Sequence, residues 1–181
     1  MPTIFSHAVF AAVTGKAFFK KPVSFWFWGL TALCAIIPDA DVAGYAFGVG
    51  RGGMFSHRGF THSIVFALLF GAFAAFIARR FLKAPFTFAK LAVFFSLATL
   101  SHPLLDMLTN GGSGIALFAP LSGQRFAFPW RPVEVSPIGL RFFSDRGWAV
   151  IVSEFIWVWL PALTILGLSI IVRKSLKNKV L

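Results

Sequence analysis

The chain has 181 residues, of which 57% are hydrophobic and 13% are charged, and its mean hydropathy is +0.80. Soluble domains are about 45–50% apolar and about 25% charged, so this composition excludes an ordinary soluble protein and indicates a membrane protein. The formal net charge of +11 is compatible with anionic lipid, nucleic acid or membrane topology. The single cysteine, Cys34, excludes an internal disulfide framework and a cysteine-based zinc ribbon.

Apolar stretches follow one another along the chain at about residues 2–19, 23–38, 61–78, 91–108 and 147–172. A helix needs about 20 apolar residues to cross a bilayer core. The second stretch is short enough to be tilted, interfacial or buried among its neighbours. We predict an all-α polytopic membrane helix bundle with about five transmembrane helices, forming a single domain over residues 1–181.

A long segment, about residues 109–146, separates the fourth and fifth stretches, and we predict an outer loop or short hairpin there. It begins with Asn-Gly-Gly-Ser-Gly and contains Pro120, Pro129, Pro132 and Pro137. Connections of this length usually serve as lids or binding elements. The alternation of Phe126, Phe128 and Trp130 fits a strand or an aromatic patch at the membrane interface.

The charged residues divide between the two sides of such a bundle. One side carries cations and no acids: Lys16, Lys20, Lys21, Arg79, Arg80, Lys83, Lys90, Arg173, Lys174, Lys177 and Lys179. The other side carries the remaining arginines and all the acids: Arg51, Arg58, Arg125, Arg131, Arg141, Arg146, Asp39, Asp41, Asp106, Glu134, Asp145 and Glu154. Because Lys and Arg are retained in short cytoplasmic loops, we predict the N-terminus outside and the C-terminus in the cytoplasm.

All the histidines and three of the aspartates fall at outer ends of the first four stretches. In the five-span arrangement they come to one membrane face: His7, Asp39, Asp41, His57, His62, His102 and Asp106. Ionisable groups at membrane depth are costly and usually mark a functional site. A histidine near a helix end is often only a hydrogen-bonded structural residue, but the joint convergence favours a shared metal site.

Imidazole and carboxylate ligands together suit a divalent metal, with zinc the best fit and manganese or iron as alternatives. The number of groups allows one or two ions. His102 and Asp106 are four residues apart, so a helix places them on one face, although Pro103 could kink it. His57 and His62 need an intervening turn, which Gly59 favours. We predict the following ligands: His7, Asp39, His57, His62, His102 and Asp106.

Other polar residues have two or more interpretations. Asp41 could be a ligand or a general base, or it could orient a histidine or cap a helix. Arg58 could bind an anionic substrate or pair with a neighbouring aspartate. Glu154, about two turns into the last stretch, fits best as a residue that positions a ligand, with a proton relay or an arginine partner as alternatives. Arg125 and Arg131 in the outer segment are candidate substrate contacts.

The motifs together resemble the YdjM/YbcI family of bacterial inner-membrane proteins, described as membrane-bound metal-dependent hydrolases. The resemblance rests on His7, Pro-Asp-x-Asp at 38–41, Ser-His-Arg-Gly-x-Thr-His-Ser at 56–63, Ser-His-x-x-x-Asp at 101–106, Phe-Pro-Trp at 128–130 and the last-helix motif at 153–161. It implies an inner-membrane location and a hydrolase-like site built from the ligands named above. The family is also distantly similar to zinc-dependent phospholipase C and to single-strand-specific nucleases, which favours phosphoester hydrolysis.

We therefore expect a multi-pass inner-membrane hydrolase, embedded in the lipid bilayer, in which metal-activated water attacks a lipid or lipid-linked phosphoester at the periplasmic face. Arg58 would hold the anion. The alternative is a non-catalytic metal-binding membrane protein or partner-binding subunit, whose metal would be coordinatively closed. An ion or proton transporter is disfavoured because its acids would lie at mid-membrane. Nucleic-acid binding is disfavoured because the cations are scattered over short membrane loops.

Overall fold

The computed structural model describes residues 1–19, 23–50, 52–137 and 142–178. Its α-helices, in chain order, are α1 (Ile4–Phe18), α2 (Phe25–Ile36), α3 (Ile64–Arg80), α4 (Phe88–Met107), α5 (Asp145–Glu154) and α6 (Leu160–Asn178). A long 3₁₀-helix (Ile37–Phe47) follows α2, a 3₁₀ turn (Phe60–His62) precedes α3, and a π-helical turn (Phe155–Trp159) joins α5 to α6. Among the charges used to predict topology, Lys20, Lys21, Arg51, Arg141 and Lys179 lie outside the described residues.

Three helical segments are long and apolar enough to cross a membrane, namely Phe25–Phe47, Phe88–Met107 and Asp145–Leu176. This count applies to the part of the chain that the structure describes. The helix α1 is apolar but shorter. The prediction of an all-α membrane helix bundle is confirmed, and the count of five spans stays a prediction.

The helix α3 packs through small residues on its inner face and leaves large apolar residues outside. On α3, Ala74 and Ala75 are fully buried, whereas Leu69 and Phe73 are more than half exposed. Apolar side chains can face outward in this way because lipid covers them in a membrane. The closest approach is between α3 and α4 at Gly71, where an added Cβ would lie 2.4 Å from the backbone nitrogen of Ser96.

The last two helices, α5 and α6, are attached to the two ends of α1. Near the start of α1, the buried carboxylate of Glu154 accepts hydrogen bonds from the side chains of Thr3 and Ser6. At its other end, Arg173 on α6 donates to the carbonyl oxygen of Ala17. A cation at a helix C-terminus and an anion at its N-terminus both complement the helix dipole. These contacts fix α1, which carries His7.

Several local predictions differ from the structure in instructive ways. The second predicted stretch stops being α-helical at Ile36, because Pro38 cannot donate the next helical hydrogen bond, and continues as a 3₁₀-helix. The third predicted stretch begins later, at Ile64, with Ser63 as its N-cap. Pro103 lies inside α4 without interrupting it. The turn that Gly59 was expected to make between His57 and His62 is present.

The outer segment is a loop rather than a regular strand. Over its described residues, 109–137, the bridges are isolated ones, between Thr109 and Val133 and between Ile115 and Phe126. The loop packs onto the segment before α3, where the amide of Ala116 donates to the carbonyl of Arg58 at 3.0 Å. It therefore covers the end of the bundle at which α1 and α3 begin and α2 and α4 end.

Candidate metal centre

Five predicted ligands from separate helical segments converge at the covered end of the bundle. They are His7 on α1, Asp39 on the long 3₁₀-helix, His62 on the 3₁₀ turn, and His102 and Asp106 on α4. All five side chains are at most 8% exposed. The Oδ1 atom of Asp39 lies 3.5 Å from Nε2 of His62 and 3.3 Å from Nε2 of His102. We call these five residues the His/Asp cluster.

Asp106 joins the remaining histidine to the same cluster. Its Oδ1 lies 3.5 Å from Nε2 of His7, and its Oδ2 lies 4.0 Å from Nε2 of His62. The ring of His7 stacks on that of His102 with 3.8 Å between centroids. The i, i+4 spacing on α4 therefore brings His102 and Asp106 to one site, as predicted.

Eight polar side-chain atoms of the cluster lack hydrogen-bond partners. Within the described ranges, the buried side-chain nitrogen and oxygen atoms without one all belong to these five residues: both ring nitrogens of His7, both carboxylate oxygens of Asp39 and Asp106, and Nε2 of His62 and His102. Each unsatisfied buried group costs about 1–3 kcal/mol. A bound cation would satisfy these converging lone pairs.

The donor set fits a divalent metal ion. Asp39, His62, His102 and Asp106 each offer one atom, and these atoms lie within 4.8 Å of one another. Metal–ligand bonds of about 2.0–2.2 Å place two ligands of one ion about 3–4 Å apart, which agrees with the 3.3–4.0 Å separations here. Two imidazoles with two carboxylates suit zinc, manganese or iron.

Two histidines of the cluster are oriented through their other ring nitrogen. Nδ1 of His102 donates to the carbonyl oxygen of Ala35 at 2.7 Å, which leaves the Nε2 lone pair directed at Asp39. Nδ1 of His62 lies 3.2 Å from Oδ2 of Asp41. Partners of this kind fix the tautomer and the ring orientation of metal-ligating histidines.

Asp41 is engaged in a separate hydrogen-bond network. Its Oδ1 accepts from Nδ1 of His57 at 2.8 Å, and its Oδ2 accepts from the hydroxyl of Thr61 at 2.6 Å. A 3₁₀-helix turns about 120° per residue, so Asp39 and Asp41 point in different directions. Asp41, His57 and His62 also form a group within 4.8 Å that could hold an ion. The hydrogen bonds of Asp41 favour an orienting role instead.

Arg58 connects the cluster to the covering loop. Its Nε lies 3.2 Å from Oδ2 of Asp106, so the carboxylate partner of the guanidinium is Asp106 rather than Asp39 or Asp41. The backbone amide of Arg58 donates to Oδ2 of Asp41 at 3.2 Å. Its terminal nitrogens donate to the carbonyl of Gly111 at 2.9 Å and to the hydroxyl of Thr109 at 3.3 Å. The guanidinium is thereby held on the surface of the cluster.

A cavity of about 510 Å³ opens beside the cluster. His57, Arg58 and Arg125 contribute to its lining, together with Tyr45 and the loop residue Ser113. The predicted substrate contact Arg125 therefore faces this cavity, where it donates to the carbonyl of Gly114 and the hydroxyl of Ser56. Arg131 is exposed and is not part of the lining. We call this space the polar cavity.

The sequence model of the YdjM inner membrane protein family matches residues 1–176. The chain belongs to the YdjM family. It is also 40% identical over 171 residues to inner membrane protein YbcI of Escherichia coli (strain K12), and the match covers 93% of this chain and 96% of that protein. No solved structure matches the chain. The resemblance to an inner-membrane family is thus confirmed, and with it the multi-pass inner-membrane assignment.

Glu154 of this YdjM-family protein binds the start of α1, the helix that carries His7. Besides the Thr3 side chain, it binds the hydroxyl of Ser6, which in turn accepts from Nε1 of Trp159 at 2.7 Å. Ser6 directly precedes His7. These contacts favour the predicted positioning role of Glu154 over an arginine partner.

Sequence reasoning missed several groups that shape the site. The Ala35 carbonyl that binds His102 cannot be recognised from the sequence, because every residue has a backbone carbonyl. Thr61 lies within the histidine motif, but the motif does not show that its hydroxyl binds Asp41. Thr109 anchors Arg58 and donates to the carbonyl of Asp106 at 2.7 Å. Gly112 was visible only as part of a glycine-rich turn.

We expect Gly112→Ala to destabilise the protein by displacing Arg58. Gly112 has φ +89°, and an added Cβ would lie 2.0 Å from a terminal nitrogen of Arg58. The left-handed backbone alone costs about 1–2 kcal/mol for a residue with a Cβ. The matched control is Gly123→Ala, since a Cβ added at Gly123 would meet no atom within 4 Å. Thermal unfolding in detergent should show a lower Tm for the first variant and little change for the second. Equal Tm values would contradict the close approach of Gly112 to Arg58.

Proposed function

We propose that this protein is a membrane-bound, metal-dependent hydrolase that cleaves a phosphoester of a lipid or lipid-linked substrate at the periplasmic face of the inner membrane. The observation that carries the proposal is the set of unpartnered atoms in the His/Asp cluster beside a cavity lined by two arginines. A buried cation site next to an anion-binding surface is the arrangement that phosphoester hydrolysis requires.

Asp39, His62, His102 and Asp106 would hold the metal, with His7 at the edge of the cluster, and zinc fits these donors best. When bound, the ion supplies Lewis-acid chemistry, acidifying water and stabilising negative charge on substrate oxygens. Asp41 keeps His62 oriented and Ala35 keeps His102 oriented, so the ligand nitrogens remain directed at one point.

Arg58 and Arg125 would bind the substrate anion. Arg58 touches both the cluster, through Asp106, and the polar cavity, so a phosphate that it holds lies beside the metal ligands. A guanidinium presents a planar fork of donors that matches phosphate oxygens. A cavity of about 510 Å³ accommodates a headgroup rather than a folded macromolecule.

His57 is suited to proton transfer in this reaction, although the sequence motif predicted a metal ligand at that position. Its Nδ1 is bound to the Asp41 carboxylate, and its ring lines the polar cavity. A carboxylate on one ring nitrogen fixes the tautomer and leaves Nε2 to accept or return a proton. In this proposal Asp41 orients and supports His57 rather than acting as the base itself.

The predicted topology supports a periplasmic site. The eleven cations assigned to one side are accompanied by no acid, whereas the cluster lies on the side that carries all the acids. The positive-inside tendency then places the cluster and the N-terminus in the periplasm and the C-terminus in the cytoplasm. A lipid headgroup in the outer leaflet is within reach of such a site.

A non-catalytic metal site is the second candidate, because Asp39, His62, His102 and Asp106 alone complete a tetrahedral set. Cobalt-substituted protein distinguishes the two. An open site should change its visible absorption when inorganic phosphate is added, whereas a closed tetrahedral site should not.

The proposal is tested by hydrolysis of phosphoester lipids by metal-loaded protein in detergent. We expect turnover by the wild type and a loss of about 10²–10⁴-fold in His57→Gln, the range that general acid–base groups contribute. Arg131→Gln is the control, because Arg131 is exposed outside the cavity. A wild type that binds metal but hydrolyses no phosphoester, with a cobalt spectrum indifferent to phosphate, would instead support the closed site.

A further inference from the structure

A second cavity of about 400 Å³ adjoins the polar cavity. Both are lined by Met1 and Ser136, whose backbones are joined by a hydrogen bond of 3.1 Å. The rest of its lining is largely apolar, with residues 2–5 on one wall and Pro137, Phe142 and Phe143 on the other. We call this space the apolar cleft.

The apolar cleft opens among exposed aromatic side chains. Phe5 and Phe143, which belong to its lining, are 66% and 84% exposed. Exposed aromatic residues of this size are expected where a protein meets a membrane rather than water. An apolar chain could therefore enter the cleft from the bilayer without crossing an aqueous phase.

The two cavities differ in charge across their shared boundary. Arg58, Arg125 and His57 line the polar cavity, whereas the described residues that line the apolar cleft include no ionisable side chain. A ligand that spans Met1 and Ser136 would therefore need an anionic end and an apolar end. A lipid with a phosphate headgroup has this composition.

We infer that the apolar cleft binds the hydrocarbon chain of the same lipid whose phosphate occupies the polar cavity. This inference rests on the proposed function, since it assigns the second end of that substrate. It makes residues 2–5 and 142–143 determinants of chain recognition, separate from the groups that hold the metal and the phosphate. A water-soluble phosphoester would use only the polar cavity.

Photolabelling tests the assignment without requiring turnover. The wild type, in phosphatidylethanolamine vesicles, is irradiated with phosphatidic acid that carries a diazirine near the start of one acyl chain, and adducts are mapped by mass spectrometry. We expect adducts within residues 2–5 and 142–143, competed by unlabelled phosphatidic acid. Adducts spread evenly over lipid-facing residues such as Leu69 and Phe73 would overturn the inference.

Ile4→Trp should fill part of the cleft and lower this labelling by about tenfold, the effect of losing burial of about two methylene groups. Leu69→Trp, on the outer surface of α3, is the matched control and should label normally. Both variants should retain the helical circular dichroism and the Tm of the wild type before labelling is compared. Undiminished labelling in folded Ile4→Trp would also overturn the inference.

The outcomes that would contradict the proposed function differ from those that would contradict this inference. Site-specific labelling without hydrolysis of any phosphoester would leave the chain-binding cleft intact and remove the hydrolase proposal. Hydrolysis of long-chain and short-chain phosphoesters at equal rates, with Ile4→Trp active on both, would leave the hydrolase and remove the cleft. If both proposals hold, Ile4→Trp should lose activity only toward the long-chain substrate.

Discussion

Asp39→Asn should purify without the stoichiometric divalent metal that we expect the wild type to carry. Asp39 is 3.3 Å from one cluster histidine and 3.5 Å from another, so its carboxylate is the donor that links them. Removing a residue that only orients a ligand lowers metal affinity by about 10–100-fold, and removing a ligand itself should lower the affinity further. Elemental analysis of detergent-purified protein measures the content directly.

The same variant should lose stabilisation by metal. A ligand at about 100 times its Kd stabilises a folded protein by about 2.7 kcal/mol, so zinc should raise the Tm of the chelator-treated wild type but not that of Asp39→Asn. Asp145→Asn is the control, because this carboxylate is exposed at the start of α5 and lies outside the cluster. A wild type that contains no metal, and whose Tm is indifferent to both chelator and zinc, would refute the metal centre.

Arg58→Lys should lower kcat/KM for a phosphoester by about 10²–10³-fold, the size of effect seen when one group that stabilises transition-state charge is removed. The substitution keeps the positive charge. It removes the fork that reaches Asp106, Gly111 and Thr109 together, so the remaining ammonium cannot hold the same position.

The comparison must be made at saturating metal, because Arg58 touches the predicted ligand Asp106. Arg131→Lys, which changes an exposed arginine of the covering loop, should behave as the wild type. Full activity of Arg58→Lys with normal metal content would show that the phosphate is bound elsewhere.

Much of the cluster could be predicted because its members mark the ends of apolar stretches. Hydropathy locates the helices. Because successive spans run in opposite directions, the start of α1 and the ends of α2 and α4 lie at the same face, where His7, Asp39 and His102 meet. The same reasoning could not give the partner of Arg58. That contact depends on how the 109–137 loop folds back over the cluster, and no periodicity in the sequence reports such long-range packing.

The roles of Asp39 and Asp41 show a second limit of sequence reasoning. The sequence allows these two carboxylates, which are separated by one residue after a proline, to point in the same direction or in different directions. Only the 3₁₀ geometry of Ile37–Phe47 sends one to the cluster and the other to His57 and Thr61. The geometry follows from the contacts of the whole segment, since isolated 3₁₀-helices of this length are uncommon.

The attachment of Glu154 to the first turn of α1 has a consequence for biosynthesis. The hydrogen bond between Ser6 and Glu154 joins residues 148 positions apart, and contacts of such long range form late in folding. While the chain is being translated, the Ser6 hydroxyl lacks this partner until α5, which carries Glu154, has left the ribosome. Nascent chains truncated before residue 154 should therefore lack the hydrogen bond that fixes the first turn of α1, so His7 should reach its final position at the edge of the cluster only after α5 has been made.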